Sequence, residues 1–199
     1  FLFYGISLEA YLGAVISLFI IKSAFDILGE TLSRILGERI NSSFSRDIRH
    51  AIQKIPGIYG VYDLVLHNYG PGKYLASVHI EVPENMTAKE IDSLTREVED
   101  VCYKDFGIVM SGVGIYARNT DPKIVELREE ITAFLMTRRN ILQVHGFYLK
   151  KETNSIDLDV VLDFSVEDRD KEVRDIEAEL QEQFKPYHFH VTGDFDISD

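Results

Sequence analysis

At 199 residues, with 45% hydrophobic and 27% charged side chains, the chain can bury a sizeable core, which excludes wholesale disorder. Its formal net charge of −12 argues against a nucleic-acid partner, whose phosphates it would repel, and is compatible with handling cations. The single cysteine, Cys102, excludes an internal disulfide and a cysteine-built zinc cluster and fits a reducing compartment.

The first segment reads FLFYGISLEAYLGAVISLFIIKSAFDIL, and from Phe1 to Ile21 its one charged residue is Glu9. That is about the 20 residues a helix needs to cross a bilayer. A buried core helix is the competing reading, but Ala10–Ile21 is apolar on every face, whereas a surface helix would show a polar stripe. Basic residues follow the segment at Lys22, Arg34, Arg39, Arg46, Arg49 and Lys54. By the positive-inside bias they place the chain at the cell membrane with residues after about 30 in the cytoplasm. Phe25, Leu28, Leu32, Ile35 and Leu36 recur at spacings of three and four, which predicts an amphipathic stalk ending near Gly37. Residues 1–38 are therefore expected to form a transmembrane helix and stalk.

A repeated unit comes next. SFSRDIRHAIQKI (43–55) predicts a helix with Ile48, Ile52 and Ile55 on one face, ended by Pro56-Gly57. Strands are expected at about 58–67 and 73–82 around the turn NYGPG. Thr87 and Glu90 form a capping-box pattern that opens a helix through Ile91, Leu94, Val98 and Val101, and GIVMSGVGIYA is a third strand. The order then recurs: a helix from Asp121-Pro122, strands near 141–149 and 156–164, a helix over about 168–184, and the strand YHFHVTGDFDI. Both copies read α-β-β-α-β. Right-handed crossover would place the helices of each on one face of a three-stranded sheet. The expected architecture is α+β: one N-terminal helix followed by two tandem ferredoxin-like units, at 42–118 and 121–199. The charge is uneven between them: residues 1–120 carry 11 basic and 14 acidic side chains, residues 121–199 carry 10 and 19.

An apolar helix, a stalk ending in ILGER, and then IPGIYGVYDLVLHNYGPGKYLASVHIEVP together resemble the cation diffusion facilitator family of metal transporters. The resemblance covers residues 1 to about 117 and is carried best by the hairpin. Residues 121–199 look like an extra C-terminal module of one bacterial branch, where HGFY and a terminal DxDxSD are similar. The resemblance implies a dimeric exporter of divalent cations (zinc, manganese, iron or cobalt) driven by proton exchange. It also implies a transport site on membrane helices outside this chain, and a cytoplasmic region that dimerises and regulates. No organic cofactor is implied; a divalent cation, zinc or manganese, is the one candidate ligand.

Within that family, cytoplasmic zinc sites use positions that fall here on Tyr62, His79, Tyr116 and Arg118. Only His79 keeps ligand character, because a protonated phenol is a poor ligand and a guanidinium repels the ion. His67 adds a second imidazole to the hairpin, short of the three or four ligands zinc takes. Alternation places Tyr62, Leu64, Leu66, Leu75, His79, Met110 and Tyr116 together on the uncovered face of the first sheet. That face is too apolar to leave wet, so it is expected to be a contact surface for a partner subunit or for the second unit.

In the second unit His188, His190, Thr192, Asp194 and Asp196 share one face of the last strand. Asp157, Asp159 and Asp163 line the neighbouring strand, and His145 stands at the position equivalent to Tyr62. His and Asp ligands suit zinc, manganese or iron. Two readings of this face stay open: a polar solvated sheet surface, or a cation site built from His145, His188, His190 and Asp194, with His79 and His67 as the separate candidate ligands of the first hairpin.

No Gly-rich phosphate loop, GxSxG or cysteine–histidine pairing is present in the sequence, and nothing in it asks for an enzyme. Two functional classes follow: the C-terminal part of a cation transporter, or a membrane-tethered module that senses cations or binds a partner without transporting.

Overall fold

The computed structural model describes residues 8–36, 42–70 and 73–195. The chain divides into two compact units, residues 1–38 and 39–199. In the first, α1 (Leu8–Leu36) runs unbroken. Its stretch Glu9–Gly29 has a mean hydropathy of 1.8 and no buried residue, with Leu12, Ile16, Phe19, Ile20 and Phe25 all exposed. The hydroxyls of Ser17 and Thr31 donate back to the carbonyls of Gly13 and Ile27, so these polar atoms need no water. The helix is long and apolar enough to cross a membrane.

The second unit contains two copies of one topology. In the first copy α2 (Ser42–Gln53), β1 (Gly60–Asn68), β2 (Tyr74–Pro83), α3 (Ala88–Phe106) and β3 (Ile108–Arg118) give a sheet ordered β1-β2-β3. In the second, α4 (Pro122–Leu135), β4 (Ile141–Lys150), β5 (Ser155–Leu162), α5 (Arg169–Gln183) and β6 (His188–Phe195) give β4-β5-β6. In each, the hairpin is antiparallel and the strand returning through the helix is parallel to its centre. These are tandem ferredoxin-like units, as the sequence pattern predicts.

Local signals explain the boundaries. Thr87 Oγ1 accepts from the Glu90 amide while the Glu90 carboxylate accepts from the Thr87 amide, the reciprocal capping box that fixes the start of α3. Gly107 ends α3 at φ +67°, where a side chain would be strained. Asp121 caps α4, with Pro122 at its first position. β5 stops at Leu162, two residues earlier than expected, because the Asp163 carboxylate accepts from the Ser165 amide and turns the chain.

Each copy has its own core beneath its helices. One joins Ile48, Ile52, Val78, Ile80, Val98 and Ile108; the other joins Ile131, Leu135, Ile156, Leu158, Ile176 and Leu180. The interface set expected for the first sheet is divided between its two faces. A bulge after Tyr62 puts Asp63 at φ +53° and sends Leu64 and Leu66 to the helix side, where Leu64 is 1% exposed. An irregularity after Ala76 likewise brings Met110 onto the helix-side core. Tyr62, Leu75 and Tyr116 remain on the open face, in register with His79, His67 and Glu81. One extra residue in a strand is enough to invert every side chain beyond it.

Candidate metal centre

The second sheet has the same bulge in the same place. In β4 the register breaks between His145 and Tyr148, with Gly146 at φ +64° and Phe147 turned into the core. The two hairpins therefore correspond residue by residue: Tyr62 to His145, Asp63 to Gly146, Leu64 to Phe147, His79 to Asp159. The parallel registers extend the correspondence from Tyr116, beside Glu81, to Asp194, beside Val161.

These equivalent positions meet. The Tyr62 ring stacks on His145 at 5.0 Å and 12°, and Tyr116 lies 5.5 Å from His145 and 4.8 Å from His79. The open face of the first sheet is thus in contact with the second unit through its aromatic residues. Two further ties hold the seam. Buried Glu81 accepts from Arg118 of its own unit at 3.0 Å and from Arg128 of α4 at 3.1 Å. The buried Asn119 amide bonds both the N–H and the C=O of Leu149, as a paired strand would, and also donates to Glu84.

Carboxylates and imidazoles collect at the stack. Asp63, His145 and Asp194 each offer a ligand atom, all within 4.8 Å of one another. His145 Nε2 is 3.2 Å from Asp63 Oδ1, 3.6 Å from Asp194 Oδ2 and 3.9 Å from Asp159 Oδ2. Its side chain is 1% exposed, yet among the described residues neither ring nitrogen makes a hydrogen bond of in-line geometry. Buried imidazole nitrogens are rarely left this way in folded proteins. His79 Nδ1 stands 2.9 Å from Asp63 Oδ2 and also lacks in-line hydrogen-bond geometry. The Tyr116 hydroxyl donates to Asp63 Oδ2 at 2.9 Å.

The electrostatics follow from this crowding. Burial pushes the Asp63 carboxyl up, but His145, His79 and the Tyr116 hydroxyl outweigh it and hold the group well below the usual carboxylate range. Contact with Asp63 raises the His79 imidazole despite its partial burial. Burial, together with the Asp159 and Asp63 carboxylates, drives the Tyr116 phenol far above its ordinary value, so it stays a donor. Burial also raises the Tyr62 phenol.

Glycines make the space. A Cβ on Gly146 would stand 2.7 Å from Asp159 Oδ2, and one on Gly114 would stand 2.0 Å from the His79 ring. A cavity of about 400 Å³ reaches the cluster along the seam, lined by Tyr62, Glu81, Arg128, His145 and Gly146 among others.

The structure thus brings together His79, His145 and Asp194 from the expected ligands, and adds Asp63 and Asp159. His67 sits at the other end of β1, paired with Leu75. His188 and His190 are exposed on β6, and among the described residues the three-ligand cluster includes neither. Asp196 lies outside the described residues. Asp63 is the residue that strand alternation misses. Its signal is a broken period: apolar residues stand three apart at Val61 and Leu64, and again at Val144 and Phe147, which marks an extra residue in both copies.

Residues 41–111 match the family model described as cation efflux protein, cytoplasmic domain. This stretch, rather more than a third of the chain, is similar to that cytoplasmic domain. An uncharacterized transporter of Methanocaldococcus jannaschii is 29% identical over 99 residues, covering 50% of this chain and 34% of the relative, so the chain spans about a third of that protein's length. Solved structures similar to part of the chain include a nickel form of the MamM CTD, with 25% identity over 38% of this chain and 98% of that chain and a TM-score of 0.35. A manganese form of the MamM CTD matches with 25% identity, 39% and 100% coverage and a TM-score of 0.35.

Proposed function

We propose that this chain is the C-terminal part of a divalent-cation efflux transporter, in which α1 crosses the bilayer and residues 39–199 form a cytoplasmic regulatory region. The observation that carries the reading is the succession of a predominantly apolar helix long enough to span a bilayer and a stretch, residues 41–111, that matches the cation efflux cytoplasmic domain. A single spanning helix cannot enclose a polar path, so the transport site belongs to helices outside this chain. Zinc, manganese, iron and cobalt are the ions to test, with proton exchange as the driving force and a homodimer as the working assembly. Residues 1–38, 42–118 and 121–199 serve in turn as anchor, cation efflux domain and an added module.

The reading is tested by reconstituting the longer transporter in vesicles with and without residues 121–199. The intact protein should move zinc or manganese against a proton gradient, and the shortened one should transport with altered dependence on cytoplasmic cation. Absence of cation movement in the intact protein would instead favour a membrane-tethered sensor.

A further inference from the structure

We infer that Asp63, His145 and Asp194 form a composite divalent-cation site, completed only when the two ferredoxin-like units are docked, so that the ion clamps one unit to the other. The inference deepens the cation-handling reading above and rests on it for the class of ion.

Its warrant is the division of the ligands. Asp63 comes from the bulge of β1, whereas His145 and Asp194 come from β4 and β6, so neither unit can assemble the set by itself. Ligand atoms about 2.0–2.2 Å from one ion at tetrahedral or octahedral angles stand roughly 3–3.6 Å apart. His145 Nε2 lies 3.2 and 3.6 Å from its two carboxylate neighbours, within that range. The independent sign of a ligand is His145 itself, with a 1% exposed side chain aimed among carboxylates and, among the described residues, no hydrogen bond of in-line geometry at either ring nitrogen. Asp159 Oδ2, 3.9 Å from Nε2, is near enough to join as a fourth donor.

Three carboxylates around one buried imidazole leave an excess of negative charge, most of which a dication would offset. One nitrogen with several oxygens suits Mn²⁺, Fe²⁺ or Zn²⁺ and gives a soft monovalent ion such as Cu⁺ nothing to prefer. A dication seated here would link affinity to docking: whatever separates the sheets removes Asp63 from the set, and the bound ion opposes separation.

The test uses the full 199-residue chain in detergent, with MnCl₂ followed by the loss of the free Mn²⁺ electron paramagnetic resonance signal. Hydrogen exchange over residues 60–68 and 141–150 is measured in the same samples. One Mn²⁺ per chain is expected, with slower exchange in both segments. Asp63→Asn and Asp194→Asn should each weaken binding about tenfold or more, and His188→Ala should leave it unchanged. Binding that survives Asp63→Asn would overturn the composite site, because the second unit would then suffice. Binding that leaves exchange unaltered in both segments would overturn the clamp. No binding by the folded chain would overturn the whole inference, while the transport reading would still stand or fall in vesicles.

Discussion

Single residues in this protein act mainly by what they hold apart or together at the seam. Glu84 illustrates the point. Burial raises its carboxyl, but the Thr120 amide and the Asn119 side chain donate to it and lower it below the ordinary value. A carboxyl depressed in the folded state stabilises above its unfolded pKa, and that contribution is lost as pH falls through the folded value. Thermal unfolding should therefore show Glu84→Gln melting below the parent protein at pH 7, with the gap closing as the pH falls below the ordinary carboxylate range. A gap that does not change with pH would mean the carboxylate contributes through packing alone. Cys102 gives a second residue-scale expectation. It is fully buried, with its thiol pushed up to about 11 by burial and by Asp105, so the reactive thiolate is scarce. Alkylation by iodoacetamide at pH 7.5 should follow unfolding rather than proceed in the native state, as a time course with mass detection would show.

At the scale of elements, the decisive features are two bulges and one connector. Each bulge displaces a hairpin register by one residue; the first turns Asp63 toward the opposite sheet, and the second places Gly146, the residue after His145, at the equivalent position. Gly146 permits this at positive φ with no side chain to strike Asp159. The connector between β3 and α4 is fixed by Asn119, whose amide satisfies both backbone groups of Leu149. Asn119→Ala would leave a buried donor and acceptor unpaired, and should cost about 1–3 kcal/mol, read from denaturant midpoints at unchanged slope. A helix-side residue behaves differently: Ile156, with no exposed surface, should cost about 2–5 kcal/mol on replacement by Ala because a cavity remains in the second core. Asn119→Ala should also speed hydrogen exchange at the start of α4 and the end of β4, whereas Ile156→Ala should speed it across the whole second unit.

On the scale of the whole molecule, two compact units of opposite surface character share one chain. One is a helix whose apolar side chains are exposed along its length; the other is a pair of sheets with their own cores. Exposed Leu, Ile and Phe in such a row have no stable place in water. The full chain should partition into the detergent phase on warming in Triton X-114, while residues 39–199 should stay in the aqueous phase. Aqueous partitioning of the full chain would show that α1 buries its surface within the protein.

Much of the architecture follows directly from local order. The period of two in the strands, the capping box at Thr87, Pro122 behind Asp121 and the apolar run before Lys22 each report a short-range constraint, and among the described residues the elements follow those signals, with β5 ending two residues early at Leu162. The ligand set is a different matter. His188 and His190 look paired in sequence because alternate residues share a face, yet sharing a face says nothing about what stands opposite. Asp63 looks like one more polar residue in a strand until a bulge rotates it and a second sheet, some 80 residues later in the chain, supplies His145 (145 against 63). Periodicity determines which side of its own element a residue occupies. Only the docking of two separately folded sheets decides which side chains face each other, since that depends on surfaces neither repeat contains alone.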